Sequence, residues 1–128
     1  MRFRMPNHPC DFEIPDEWLA GLPMDMLRAA GSGYLTGLPS VPVPLVDIEP
    51  PRRSGRVTKD WRGFDQARMR KVMRRMAFKH ELDPVRLVDI PQPESFEPRP
   101  YRFRVRNGYH RFYGSIALGF DCLPRRLE

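Results

Sequence analysis

Residues 101–120 constrain the fold of this chain more tightly than any other stretch. Tyr101, Phe103 and Val105 alternate with Arg102, Arg104 and Arg106. Strict period-two alternation of apolar and charged residues predicts a strand buried on one face. Asn107-Gly108 follows, and both residues accept positive φ, so the chain turns sharply there. Tyr109, Phe112, Tyr113, Ile116 and Phe120 then recur at helical spacing and predict a compact helix with its apolar face on a core. Gly119 suits the left-handed residue that ends it.

A tight turn from strand into helix leaves the first N–H groups of the helix beside the turn. There they and the helix dipole favour an anion. Asn107 and Gly108 form that turn, and His110 and Arg111 fall off the apolar stripe in the first helical turn. These four are candidate phosphate-binding residues. Arg111 offers a planar fork of donors, and a neutral His110 can donate one N–H or take a proton, which makes it a catalytic candidate too. A structural role in capping or ion pairing competes for both. Ser115, one turn on, reads as a helix hydroxyl bonded to the backbone rather than a nucleophile.

A second helix is legible upstream. Met69, Val72, Met73 and Met76 recur at i, i+3, i+4 and i+7, the stripe of a helix packed on one side, and make the methionines core residues. Arg68, Lys71 and Arg75 lie along another face, with Arg70 and Arg74 beside them. Residues 1–50 hold three basic and seven acidic residues, a net of −4, whereas residues 51–128 hold 19 basic and nine acidic ones, a net of +10. Eleven of those cations fall between 51 and 80, against Asp60 and Asp65. Such a field attracts polyanions, so nucleotide, nucleic acid and an acidic protein are all compatible partners. Arg68, Lys71, Arg74 and Arg75 are the candidates for nucleic-acid contact, and a plain solvated face is the competing reading.

Asn107-Gly108-Tyr109-His110-Arg111, followed by Ala117-Leu118-Gly119 and Leu123-Pro124, resembles the ParB/sulfiredoxin-like superfamily. Its members carry a strand, a turn ending in His-Arg, a helix ending in Leu-Gly, and a further strand. The resemblance covers roughly residues 43–128, about two thirds of the chain. It implies an α+β domain with a small mixed sheet in the order β–α–β–β–α–β, and the residues before it, 1–42, read by their own pattern as a short helical, Pro-rich extension. Residues 43–49 would be the first strand, 64–79 the first helix and 84–90 the next strand. Pro50-Pro51-Arg52-Arg53 would be a Pro/Arg loop, with Arg52 and Arg53 as candidates to complete the pocket from the opposite side, against the competing reading of a plain surface loop. A nucleotide- or phosphate-binding domain is the implied function, with a nucleotide and Mg²⁺ as cofactors if phosphate is hydrolysed or transferred.

Some members that transfer phosphate use an acid near the end of the first strand. Glu49, on the same face as Asp47, is therefore the first catalytic candidate, and a salt bridge to neighbouring arginines is its competing role. Two departures narrow the comparison. Tyr109 stands where sulfiredoxins carry their catalytic Cys, so sulfinic-acid reductase chemistry is not expected. The Gly-Glu-Arg-Arg box and helix-turn-helix domain of the chromosome-segregation proteins are also lacking.

At 128 residues the chain suits one folded domain, and 15 prolines imply many extended connections. No apolar run is long enough to span a bilayer, so no membrane partner is expected, and the N-terminus lacks the apolar core of a secretory signal. Cys10 and Cys122 form no disulfide framework, and His8-Pro9-Cys10 has no matching pair of metal ligands. A cytoplasmic protein with reduced thiols is expected. Residues 12–19 predict a short strand or extended piece leading into one helical turn, capped by Asp16 and stopped by Gly21. Residues 24–30 predict a second short helix, and 31–42 a loop. Trp18, Leu19, Met26 and Leu27 are expected to dock as a cover on the main fold, with a partly ordered arm as the competing reading. Three functions stay open, together with the oligomeric state. They are a phosphate- or nucleotide-binding domain with or without turnover, a nuclease-like nucleic-acid module, and a catalytically inactive interaction domain.

Overall fold

The computed structural model describes residues 1–23, 33–52, 63–91 and 100–127. The N-terminal elements are β1 (Arg2–Arg4), β2 (Asp11–Glu13) and α1 (Asp16–Leu19). Then come β3 (Ser40–Pro44), a 3-10 turn (Leu45–Asp47), β4 (Ile48–Glu49) and α2 (Gln66–Ala77). The chain continues through β5 (Arg86–Asp89), β6 (Phe103–Asn107), α3 (Tyr109–Ala117) and β7 (Cys122–Arg126). This is a mixed α+β protein. No helix among the described residues is long and apolar enough to cross a membrane.

The described strands form three small sheets rather than one. β1 pairs antiparallel with β2, and β3 pairs antiparallel with β7, placing Val43 opposite Leu123. β6 is the centre of a mixed three-stranded sheet, parallel to β4 and antiparallel to β5. A parallel bridge at Val85 joins the last two sheets. Val85 N–H donates to Pro124 O (2.8 Å), and Arg126 N–H donates to Val85 O (2.9 Å). Because β3 and β4 are consecutive in the chain but lie at opposite ends of this joined set, the sheet curls back on itself.

That switch of partners corrects the single strand expected over 43–49. At Leu45, whose N–H donates to Asp121 O (2.9 Å), the chain leaves β7 through the 3-10 turn and then takes up β6. Ser40, Val41 and Pro42, expected in a loop, belong to β3. Pro42 and Pro44 lack an N–H, which an edge strand tolerates when that side has no neighbour to bond. Pairing with β7 outweighs the local breakers.

α2 and α3 run side by side in the same direction. Asp65 N–H, at the start of α2, donates to His110 Nε2 at the start of α3 (2.9 Å), and farther along Gly114 packs against Val72 and Met76. A Cβ on Gly114 would sit 3.3 Å from Val72 Cγ1, so the missing side chain sets how closely the helices approach. Met69, Met73 and Met76 are buried as the helical stripe predicts, together with Ile48, Phe112 and Leu123.

The N-terminal residues share this core. The β1–β2 hairpin delivers Phe12 to Tyr113, ring centroids 5.0 Å apart, and Trp18 and Leu19 are buried as expected of a cover. Asp16 does not cap α1, however. Pro15 holds that position, and the Asp16 carboxylate takes the N-terminal ammonium at 2.6 Å. The helix expected over 24–30, with Met26 and Leu27, lies outside the described residues.

Gly108 meets two constraints at once. Its φ is +140°, and a Cβ there would fall 2.5 Å from Val85 Cγ1. Gly21 has φ +81° with open space around it. Gly108→Ala should therefore lower the unfolding free energy by about 3 kcal/mol, combining backbone strain with overpacking. Gly21→Ala should cost about 1 kcal/mol from the backbone alone. Urea denaturation of both variants checks this, and equal losses would show that the Val85 contact is unimportant.

Candidate functional site

β6 ends at Asn107, Gly108 turns the chain, and α3 starts at Tyr109. A cavity of about 270 Å³ opens at this corner. Its wall includes Asn107, Gly108, His110, Arg111 and Arg52, so five residues expected to form one site do share it. Arg53 lies outside the described residues. Two arginines join that the sequence placed elsewhere: Arg68 from the basic helix and Arg106 from the outer face of the strand. The signal for Arg106 was its place one residue before the turn. Arg68 had no local signal, because only the packing of α2 beside α3 brings it here.

The electrostatics of the corner are one-sided. Arg52, Arg68, Arg106 and Arg111 line the cavity, and no carboxylate does among the described residues. Arg52, Arg68 and Arg106 are exposed, with no carboxylate of the described residues within ion-pair distance. The ladder of α3 begins with Phe112 N–H donating to Gly108 O (2.9 Å), so the positive end of its dipole lies at this corner. The start of α2 lies beside it.

His110 is not off the packed face as its spacing suggested. It is 4% exposed, with its ring 5.4 Å from Tyr109 and 6.1 Å from Phe64. α3 is buried on nearly every side by α2, the sheet and the N-terminal hairpin, so its first turn is enclosed too. Because Nε2 accepts the Asp65 N–H, the neutral ring carries its proton on Nδ1. Asp65 in turn caps α2, its Oδ1 accepting the Arg68 N–H (2.8 Å).

Arg111 is also engaged. Its Nη1 donates to Asp83 O (2.8 Å) and Pro84 O (3.1 Å), and its Nη2 to Asn107 O (3.3 Å). It thereby ties the approach to β5 to the end of β6, while still adding its charge to the cavity. The Tyr34 hydroxyl donates to the same Asp83 oxygen (2.6 Å). Burial pushes the Tyr34 phenol far up, with the nearby Arg111 charge offsetting part of the rise. Ser115 Oγ donates to Arg111 O (2.7 Å), the backbone bond expected of it.

Glu49 lies elsewhere. It borders a second cavity of about 290 Å³, with His8, Arg52, Ile90 and Tyr101 in the wall. It stands opposite Arg104 in the β4–β6 register, and Oε2 pairs with Arg104 Nη2 at 3.5 Å. The two catalytic candidates, Glu49 and His110, thus occupy different cavities, and Arg52 is the residue common to both. Tyr101 in that second wall donates its hydroxyl to Asn7 O, and burial raises its pKa, with the Glu49 charge adding to the rise.

Of the other basic-helix candidates, Lys71 and Arg74 are exposed on α2 outside the cavity. The Arg74 guanidinium stacks 5.2 Å over the Phe78 ring. Arg75 donates through Nε and Nη2 to Glu81 O (3.2 and 2.7 Å), which ties down the end of α2. Among the described residues no three His, Cys, Asp or Glu converge as metal ligands. A wall of arginines without carboxylates does not fit a protein-held Mg²⁺. Cys10 and Cys122 are free thiols, and the His8 Nδ1 accepts the Cys10 N–H (3.1 Å).

Two outcomes follow from this division of labour. His110→Phe leaves the Asp65 N–H without its acceptor, and Arg111→Ala strips a donor from three carbonyls. Each should cost about 2 kcal/mol in denaturant unfolding, whereas Arg106→Ala should stay within about 0.5 kcal/mol. Tyr34 supplies a pH test. Its native pKa lies above the unfolded value, so the folded state holds the proton more tightly. Its contribution is full below about pH 10 and falls as pH rises beyond that. Tyr34→Phe should flatten the loss of stability above about pH 10 in the same assay.

No family model matches this chain, and neither a curated protein nor a solved structure matches it.

Proposed function

We propose that this protein binds a phosphate group, as a phosphate ligand or a nucleotide, in the cavity at the start of α3. One observation carries the reading: four arginines and no described carboxylate line a cavity at the positive end of a helix. Arg52, Arg68 and Arg106 supply guanidinium forks, and the turn at Asn107-Gly108 lets the backbone approach the ligand closely. Arg111 contributes charge while holding the carbonyls around the turn. His110 positions the start of α3 against α2. The resemblance of this strand–turn–helix corner to ParB/sulfiredoxin-like proteins supports the same assignment.

Hydrolysis or transfer would need a group to take a proton, and Glu49 sits in the neighbouring cavity, paired with Arg104. The reading is therefore binding, with Arg52 as the link through which a larger ligand would reach both cavities.

Thermal unfolding against inorganic phosphate and a panel of nucleotides, with and without Mg²⁺, tests it. A ligand at about a hundred times its dissociation constant should add roughly 2.7 kcal/mol of stability. Arg106→Ala and Arg52→Ala should lose most of that shift without lowering the melting temperature of the free protein. A protein indifferent to phosphate and to every nucleotide would rule out the assignment.

A further inference from the structure

Arg68 belongs to two surfaces, the cavity wall and the exposed face of α2. That face continues outward from the cavity. Lys71 and Arg74 follow at successive intervals of three residues, both exposed, and Phe78, directly after the helix, lies one turn beyond Arg74. Phe78 is 43% exposed, and the Arg74 guanidinium packs over its ring. The helix has no acidic residue of its own. Arg68 also stands in its first turn, where the dipole disfavours cations. A bound polyanion would relieve both conflicts.

Resting on the phosphate-binding reading above, we infer that the ligand is a single-stranded nucleic acid. Its terminal phosphate enters the arginine cavity, its next phosphates follow Lys71 and Arg74, and a base stacks on Phe78. The dimensions agree. From Arg68 to Phe78 the helix advances about 15 Å, at roughly 1.5 Å per residue. Successive nucleotides of a stacked strand advance roughly 3.4 Å, so the track holds about four. A mononucleotide would leave Lys71, Arg74 and Phe78 unused. A recess of about 270 Å³ takes a phosphate at a chain end rather than the side of a duplex. An exposed aromatic ring beside a line of cations is the pairing by which single strands are held without sequence preference.

Fluorescence anisotropy with a short single-stranded oligodeoxynucleotide tests this, with the strand carrying a 5′-phosphate, a 3′-phosphate or neither. A duplex of equal length and poly-glutamate serve as competitors. One terminal phosphate should tighten binding about tenfold, as expected for charge-assisted hydrogen bonds, and Arg106→Ala should abolish that preference. The double variant Lys71→Ala/Arg74→Ala should keep the preference. It should reduce the slope of log affinity against log salt by about 1.4, roughly 0.7 for each phosphate that the protein no longer neutralises. Phe78→Ala should weaken binding about tenfold with the slope unchanged.

Mononucleotide binding as tight as the oligonucleotide, with the α2 variants inert, would overturn the inference and leave phosphate binding standing. Equal competition by poly-glutamate, or tighter binding of the duplex, would overturn it as well. Silence toward oligonucleotide, nucleotide and inorganic phosphate alike would sink both proposals.

Discussion

The hydrogen bond from Asp65 N–H to His110 Nε2 is the contact on which the rest of the arrangement depends. It latches the start of α2 to the start of α3, and the close approach at Gly114 keeps the helices together farther along. With both starts at one end, two positive dipole ends and the side chains of both first turns converge on the same corner. Were the helices antiparallel, Arg68 would sit at the far end of the pair, and the cavity would lose one wall.

Around that latch, charge is sorted by what it must hold. Arg111 and Arg75 direct their donors to backbone carbonyls, at the turn beside β5 and at the end of α2. Arg104 faces Glu49 across the sheet, and Arg125 reaches toward Asp89 at 3.4 Å. Arg52, Arg68 and Arg106 keep their head groups at the cavity without a described carboxylate in range. A guanidinium can do either job, because its five N–H donors can be accepted by carbonyl or phosphate oxygens alike. The difference lies in which carbonyls are near. Tyr113 extends this sorting to the loop: its ring packs among Phe12, Phe64, Tyr109 and Phe112, and its hydroxyl donates to Pro51 O (2.8 Å). The core thereby sets where Arg52 stands.

Periodicity made the central elements legible. The alternation ending at Arg106 and the helical stripes at Met69–Met76 spacing and in α3 are strong local patterns, and the turn at Gly108 was visible because so few residues accept its backbone. The strand pairings were harder to read. β3 contains two prolines and follows a stretch of breakers, so its propensity argues against a strand, yet β7 supplies a partner. A short strand was legible from residue 12, but its pairing with β1 was not, because two three-residue strands are too short for any period to register. His110 misled for a related reason. Its spacing assigns it to the open side of α3, but that assignment assumes one open side, and α3 has almost none.

The strand–turn–helix corner, the methionine stripe of α2 and the basic excess over residues 51–128 each follow from local pattern and composition alone. Which arginines meet depends instead on how remote segments pack. Parallel packing of α2 and α3 brought Arg68 to Arg106 and Arg52, the sheet register sent Glu49 to Arg104, and the carbonyls of Asp83, Pro84 and Asn107 took up Arg111. A charge is placed by its sequence neighbours, whereas its partner is chosen by distance, and distances between remote segments exist only in the folded chain.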